Sequence, residues 1–427
     1  MEIRTMDSLD PRRDEGNGIS RRRFLQGAGA TAAAFALSGG AMLDDAFADG
    51  EGEDKDKGEG KGEKGEIRNR QPGMRYRRLG RTGLLVSEIG FGTTRLDESN
   101  AELVLDAIDK GLNYIDTASG YGRGATEEAL GGVLKGRRDL VFIATKASRI
   151  GRYSGKEAAR FLERSAEQSL KKLRTDVLDV LMLHGVREAE QVMNPHVFKA
   201  FDGLKKKGKI RFCGLSCHSN IPETLAAALG TGRYDVMLAS YNTGNAWAMD
   251  PVIKAVVKAD VGFCAMKVAQ QAAGERGRIL KKLGKGANLT AHQLCYRWAL
   301  ENPGVSTALA CIINSRHLKE DLAVPGKKLS WLQKQRLQGI GDRLRRENCA
   351  MCGRCDICPE GVEIAAVQRA LMYHINYGDP KAGCELYGEL SPAARGATCS
   401  DCGLCEDRCP NGIPIRRKLR EAAAVFG

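Results

Sequence analysis

Long apolar runs are what this 427-residue sequence most lacks. Its one extended apolar stretch, Gly27–Leu43, is rich in alanine and glycine. It falls slightly short of the roughly 20 residues that a membrane-spanning helix needs, so no stable span is expected in the mature chain. Aromatic residues are sparse, at 6%. The formal net charge is +13, yet the basic residues are spread along helical stretches with no interleaved aromatics and no DNA-binding motif. A nucleic-acid partner is therefore not expected. Lys205, Lys206 and Lys207 read as the solvated end of a helix before a turn. A glycine-rich nucleotide fingerprint after the first strand is also missing, because Gly90-Phe91-Gly92-Thr93 does not supply one. That argues against a doubly wound open sheet. No flavin motif is visible.

What the sequence does have is alternation. Short apolar runs at Val86–Gly92, Leu112–Thr117, Leu140–Thr145, Val177–Leu183, Ile210–Ser216, Val236–Tyr241, Val261–Met266 and Ser306–Ile313 are separated by amphipathic helical stretches. Eight such runs over about 240 residues match the size of an α/β fold of the (β/α)8 TIM-barrel type. Ser99 is placed to cap a helix ending at Gly111, and Thr126 to cap the next, with Glu127 and Glu128 in its first turn. In 156–173, Leu162, Ala166, Leu170 and Leu173 recur at helical spacing and form a core-facing stripe.

The N-terminus reads as an address. SRRRFLQ at 20–26 resembles the twin-arginine export signature; the apolar stretch follows, and Ala46-Phe47-Ala48 makes a small-residue cleavage site before Asp49. The resemblance implies twin-arginine machinery as a partner and a periplasmic or otherwise exported location. From Asp49 to Pro72 there are almost no apolar residues to offset ordering entropy, so this segment is expected to be a disordered tether. The chain thus divides into a signal at 1–48, a charged linker at 49–73, a barrel at 74–328, a connecting helix at 329–347 and a cysteine-rich domain at 348–427.

DTASGYG at 116–122, ATK at 144–146 and LMLHG at 181–185 stand at the ends of the second, third and fourth expected strands. Together they resemble the aldo/keto reductase family over roughly residues 74–325. The resemblance implies a catalytic tetrad of Asp116, Tyr121, Lys146 and His184. The chemistry is sensible in its own right, because residues at the C-terminal ends of barrel strands converge at one mouth. A carbonyl taking up hydride needs a proton, which Tyr121 can supply, and an ammonium beside a phenol favours the phenolate. Asp116 would hold that ammonium, and His184 would orient the substrate oxygen.

The cofactor side departs from the family pattern. Ser216 is kept, but Cys217 replaces the usual Asn; the sixth strand, Leu238-Ala239-Ser240-Tyr241-Asn242, offers no Gln; Met266-Lys267 stands where an aromatic often stacks on nicotinamide. NSRHLKED at 314–321 resembles the adenine-end segment. NADP(H) is thus a possible cofactor, with Ser216, Asn314, Ser315, Arg316 and Glu320 as contacts and Arg316 or Lys319 meeting a 2′-phosphate by charge.

Of 14 cysteines, eight fall in two compact groups, CAMCGRCDICPEGVEI from Cys349 and CSDCGLCEDRCPNGIPI from Cys399. This internal repeat resembles bacterial-type ferredoxins and implies two 4Fe-4S clusters in a ferredoxin-like domain. The fourth cysteine of each copy would cross to the other cluster. One cluster would take Cys349, Cys352, Cys355 and Cys409, and the second Cys399, Cys402, Cys405 and Cys358. Zinc is the rival, but its sites use two cysteine pairs across a longer loop, and three ligands within seven residues suit a cubane better. Cys213, Cys217, Cys264, Cys295 and Cys311 are expected to be buried small hydrophobes, and Cys384 to pack in the connecting segment.

These features predict an exported oxidoreductase. A small carbonyl or alcohol would react in the barrel, and the clusters would pass electrons to or from a partner protein. The alternative is a non-catalytic redox partner whose barrel is a scaffold or ligand-binding domain.

Overall fold

Three short strands precede the barrel: β1 (Glu66–Ile67), β2 (Tyr76–Arg78) and β3 (Leu84–Ser87), ordered β1-β3-β2. The computed structural model describes residues 65–427 apart from 273–276, 278–279, 282–288 and 377. The segment 1–48, expected to be an export signal, and the expected linker through residue 64 lie outside the described residues. The later part of the expected tether is fixed in place. Ile67 pairs with Leu85, the Arg68 guanidinium donates to Val141 O at 2.7 Å, and Asn69 Nδ2 donates to Leu112 O at 3.2 Å. Here Ile67 has a neighbouring strand edge to complete, and the hydrogen bonds offset the entropy of ordering this segment.

Eight parallel strands then close into a barrel: β4 (Ile89–Gly92), β5 (Tyr114–Asp116), β6 (Phe142–Ala147), β7 (Leu178–Val186), β8 (Ile210–Cys217), β9 (Val236–Ser240), β10 (Gly262–Met266) and β11 (Thr307–Cys311). The single strand expected at Val86–Gly92 is two. β3 ends at Ser87, whose Oγ donates to Ile89 O at 2.7 Å while its N–H donates to Asn113 Oδ1, and this breaks the run before β4 begins.

Period-two alternation sorts each strand between two cores. Tyr114, Phe142, Ala144, Val180, Met182, Val236, Leu238 and Cys264 fill the barrel interior, which Leu79, Leu84 and Val86 plug from below. Ile115, Ile143, Leu181, Leu183, Leu215 and Met237 face the surrounding helices. Each fully buried Leu, Ile or Phe contributes roughly 1.5–3 kcal/mol. The plug depends on Gly80 at φ +49°, where a Cβ would come within 2.2 Å of the Gly262 nitrogen.

The helix Gly155–Leu173 buries Leu162, Ala166, Leu170 and Leu173, as its spacing predicts. Two caps differ from expectation. The helix at Leu103–Asp109 begins after Glu102, because Ser99 Oγ donates to Asp97 and leaves the helix uncapped. Thr126 lies inside the helix Ala125–Val133, where its Oγ1 donates to Leu96 O, and Gly124 occupies the cap. Lys205 ends its helix but is tied to Asp235 at 2.8 Å, so it is less solvated than the lysine run suggests. Cys213, Cys217, Cys264 and Cys295 are buried, whereas Cys311, the last residue of β11, is exposed where its strand leaves the barrel.

The helix Trp331–Leu344, capped by Ser330 with Gln333 in a reciprocal box, leads to the cysteine-rich domain. There the helices Ile364–Leu371, Pro380–Gly388 and Ile415–Phe426 surround a small core including Val362, Ile364, Val367, Leu371, Ile413 and Leu419. Cys384 does not pack. Its helix buries Gly383 and Tyr387, one turn apart, and turns Cys384 outward. The domain docks on the barrel mouth. Met351 and Met372 join the barrel core, Ile221 N–H donates to Met351 O at 3.0 Å, and Arg95–Asp379 and Arg187–Glu363 pair at 2.6 Å each.

Candidate active site and cluster domain

The inward parity continues to the top of the barrel and ends there in polar residues. Tyr114 points in, and so does Asp116; Phe142 and Ala144 point in, and so does Lys146; Val180 and Met182 point in, and so does His184. The register pairs Asp116 with Ala144 and Lys146 with Met182, which sets these side chains on adjoining strands at the C-terminal mouth. Tyr121 arrives from the turn after β5. The four residues expected as a tetrad are therefore brought together.

Lys146 is fully buried and donates to Asp116 Oδ1 and, at 2.7 Å, to Thr117 O. Its ammonium lies 5.1 Å from the centre of the Tyr121 ring, and the Tyr121 ring meets His184 edge-on at 5.8 Å. Burial opposes the Lys146 charge, but Asp116 and then Tyr121 outweigh it and hold the ammonium above the ordinary lysine range.

His184 is pushed the other way, to about 3, by burial first and then by the charges of Lys146 and Arg369. It is a neutral ring, and its tautomer follows from its neighbours. Gly120 N–H donates to Ser148 Oγ at 3.0 Å, and that oxygen lies 2.8 Å from His184 Nδ1. The Ser148 hydroxyl, which accepts from Gly120, still has its own proton to place; donated to Nδ1, it leaves the His184 proton on Nε2, facing the mouth chemistry.

The sequence motifs do not include several residues that surround this group. His218 lies 5.8 Å from the His184 ring, and its Nδ1 is 3.3 Å from Lys267 Nζ. Lys267 also sits over the Tyr373 ring at 5.3 Å. Tyr373 belongs to a π-helical turn, Met372–Asn376, that continues the helix Ile364–Leu371 and its Arg369. The cysteine-rich domain thus supplies side chains to the mouth of the barrel.

The cofactor candidates are less well placed. Ser216 Oγ already accepts from Gly185 N–H at 3.1 Å and donates to Leu183 O. Cys217 Sγ is turned to Ser219 O. Asn314 caps its own helix, Ser315–Asp321, and Glu320 is held by Thr290 and His292. Ser315 and Arg316 remain exposed on that helix. Of the five expected cofactor contacts, Ser216, Asn314 and Glu320 are thus engaged within the chain among the described residues, and Ser315 and Arg316 are open to solvent.

The two cysteine groups interleave. Cys358 lines one cavity with Cys399, Cys402 and Cys405. Cys349, Cys352 and Cys355 lie within electrostatic reach of Cys409. No three of the described His, Cys, Asp or Glu side chains converge as ligands of a single metal ion. A cubane sets its sulfur ligands farther apart, because each serves a different iron, and the donor set fits it.

Comparison with known proteins agrees with both halves. The profile of the aldo/keto reductase family matches residues 88–341, and that of a 4Fe-4S dicluster domain matches 347–414. The chain is 36% identical over 152 residues to an uncharacterized oxidoreductase of Bacillus subtilis, spanning 34% of this chain and 49% of that protein. The chain spans about half the length of the curated relatives it matches. Among solved structures, the holo form of an aldo-keto reductase from Bacillus halodurans superposes with a TM-score of 0.51 at 26% identity, covering 62% of this chain and 96% of its own. A thermostable aldo-keto reductase with the inhibitor epalrestat gives 0.52 at 26% identity, covering 62% and 100%.

Proposed function

The chain belongs to the aldo/keto reductase family and carries a 4Fe-4S dicluster domain, and from that premise we propose that it is an exported oxidoreductase interconverting a small carbonyl and its alcohol in the barrel. The observation that carries this reading is the buried Lys146–Asp116 pair beside Tyr121 and His184. Tyr121 gives the proton to the carbonyl oxygen, and the Lys146 ammonium favours the phenolate left behind. Asp116 holds that ammonium in place. His184, neutral and protonated on Nε2, donates a hydrogen bond to the same oxygen and orients it.

Reduction of a carbonyl to an alcohol takes two electrons and two protons. Iron–sulfur clusters, when bound, carry electrons singly. Cys349, Cys352, Cys355 and Cys409 would hold one cluster and Cys358, Cys399, Cys402 and Cys405 the other, for exchange with a protein partner. Met351, between the first two ligands, bonds to the residue after Asn220, so the first set abuts the loop that follows β8. NADP(H), if it serves, would meet Ser315 and Arg316. The twin-arginine resemblance supports export to the periplasm or beyond.

The redox-partner reading draws on the cover that Tyr373 and Arg369 place over the mouth. Turnover separates the two. Holoprotein is offered a panel of aldehydes with either NADPH or a reduced viologen as donor. Turnover that Tyr121→Phe abolishes supports the enzyme; inactivity with every donor and aldehyde sinks it.

A further inference from the structure

Two basic side chains at the mouth form no close ion pair among the described residues. The Lys146 charge is matched by Asp116, and both histidines there are neutral because burial, followed by neighbouring cations, lowers them. Lys267 is different: its Nζ meets His218 Nδ1 and the Tyr373 ring, no described carboxylate pairs with it, and burial and then the Arg369 charge press it down to about 7, so that an anion beside it would restore the full ammonium. It also adopts φ +58°, a left-handed conformation that costs a non-glycine residue about 1 kcal/mol or more. A bond from Asn242 Nδ2 to its carbonyl at 3.3 Å helps fix that backbone.

Arg369 arrives from the opposite side. Its Nε is buried with no hydrogen-bond partner among the described residues, and no described acid pairs with its guanidinium. Two acids reach it only at a distance: Glu389, and Glu363 at the N-cap of the same helix, which is engaged by Arg187 at 2.6 Å. Tyr373, one turn further along the same helical run, lies against Lys267 at 5.3 Å, which sets Arg369 on the face that meets the mouth, and its charge reaches His184, His218 and Lys267. A buried, unpaired guanidinium is expensive unless something anionic completes it.

We propose that Arg369 of the cluster domain and Lys267 of the barrel form an anion clamp, and that the substrate carries a carboxylate close to its reacting carbonyl or alcohol carbon. The planar fork of Arg369 suits a carboxylate in two-point contact, and Lys267 supplies a point charge to the same group. This rests on the oxidoreductase reading and names the substrate class for that site. The anion has two conceivable sources, the substrate carboxylate or a cofactor phosphate, and both are anions that Arg and Lys would hold.

The test uses the full holoprotein with glyoxylate, whose carboxylate adjoins its aldehyde carbon, and its neutral methyl ester. The expected result is a preference for the carboxylate in kcat/KM of about tenfold to a hundredfold, the range of a charge-assisted hydrogen bond. Arg369→Gln and Lys267→Met should each collapse that ratio toward one, while Arg369→Lys keeps part of it; iron content checks that each variant is folded. Equal handling of the two aldehydes by wild type overturns the clamp while the enzyme stands. Calorimetric binding of the two compounds is measured separately. If no aldehyde is turned over but Arg369→Gln loses binding of the carboxylate alone, the clamp stands and the enzyme reading falls. If Arg369→Gln weakens NADPH binding and spares the carboxylate, the anion belongs to the cofactor and the substrate assignment is overturned.

Discussion

Ser148 Oγ stands between two groups: it accepts the Gly120 N–H at 3.0 Å and meets His184 Nδ1 at 2.8 Å. The glycine is required, because a Cβ on Gly120 would come within 2.8 Å of Ser148 Cβ. Ser148→Ala should release the tautomer and lower kcat by about tenfold, near the 1.4 kcal/mol expected of one hydrogen bond. Ser148→Thr, which keeps the hydroxyl, should recover most of it. Equal loss in both variants would mean that Ser148 acts only through packing.

Lys146→Met should cut turnover far more. Removing the charge beside Tyr121 takes away up to ~4 kcal/mol, or about a thousandfold in rate. It also strands Asp116, so the melting temperature is expected to fall. Asp116→Asn combined with Lys146→Met should recover stability without recovering turnover. Recovery of both would remove Lys146 from the proton-transfer role.

The pH dependence follows from His184. Its folded value of about 3 lies below the ordinary 6.5, so between these values the unfolded chain binds a proton that the native ring does not. Its contribution to stability is present above 6.5 and is lost as pH falls toward 3, at up to about 1.4 kcal/mol per pH unit. Lys146, Arg369 and His218 all face this ring, and the two charged neighbours act in the same direction. His184→Gln should flatten the melting temperature profile over that range; parallel profiles would refute the assignment.

Anaerobically purified protein should hold about eight iron and eight sulfide per chain. Cys409→Ala should disturb the cluster held by Cys349, Cys352 and Cys355, as read by electron paramagnetic resonance. Loss of the other signal instead would uncross the ligands.

Arg21→Lys with Arg22→Lys should leave precursor in the cytoplasm in a fractionation assay. Normal export of that double variant would leave the address unsupported.

The barrel is legible in the sequence because a closed parallel sheet buries both faces of each strand, giving apolar runs at regular intervals. The tetrad is legible because Asp116, Lys146 and His184 each end such a run. Arg369 and Tyr373 are not. Arg369 lies in a helix whose other residues are almost all core, and Tyr373 follows it in a π turn. Nothing local announces that this face meets a barrel mouth whose residues lie some 100–250 positions earlier in sequence. Lys267 stands out in the sequence only where an aromatic residue is absent. The order at 66–72 is hidden for a similar reason, since the hydrogen-bond partners that fix this segment are 39–73 residues away.

The docking of the cluster domain also bears on the order in which the molecule is made. Arg369 and Tyr373 fall between the two cysteine groups, downstream of every barrel strand, so ribosomal synthesis delivers the barrel first and its lining last. The domain that carries them has a small apolar core ringed by cysteines, the kind of module that leans on its metal for stability. Iron loading and completion of the barrel mouth thereby become one event in maturation. A chain that missed its iron would carry a finished barrel with an unfinished lining, its four clustered mouth residues in place and the side chains of the last domain absent from them.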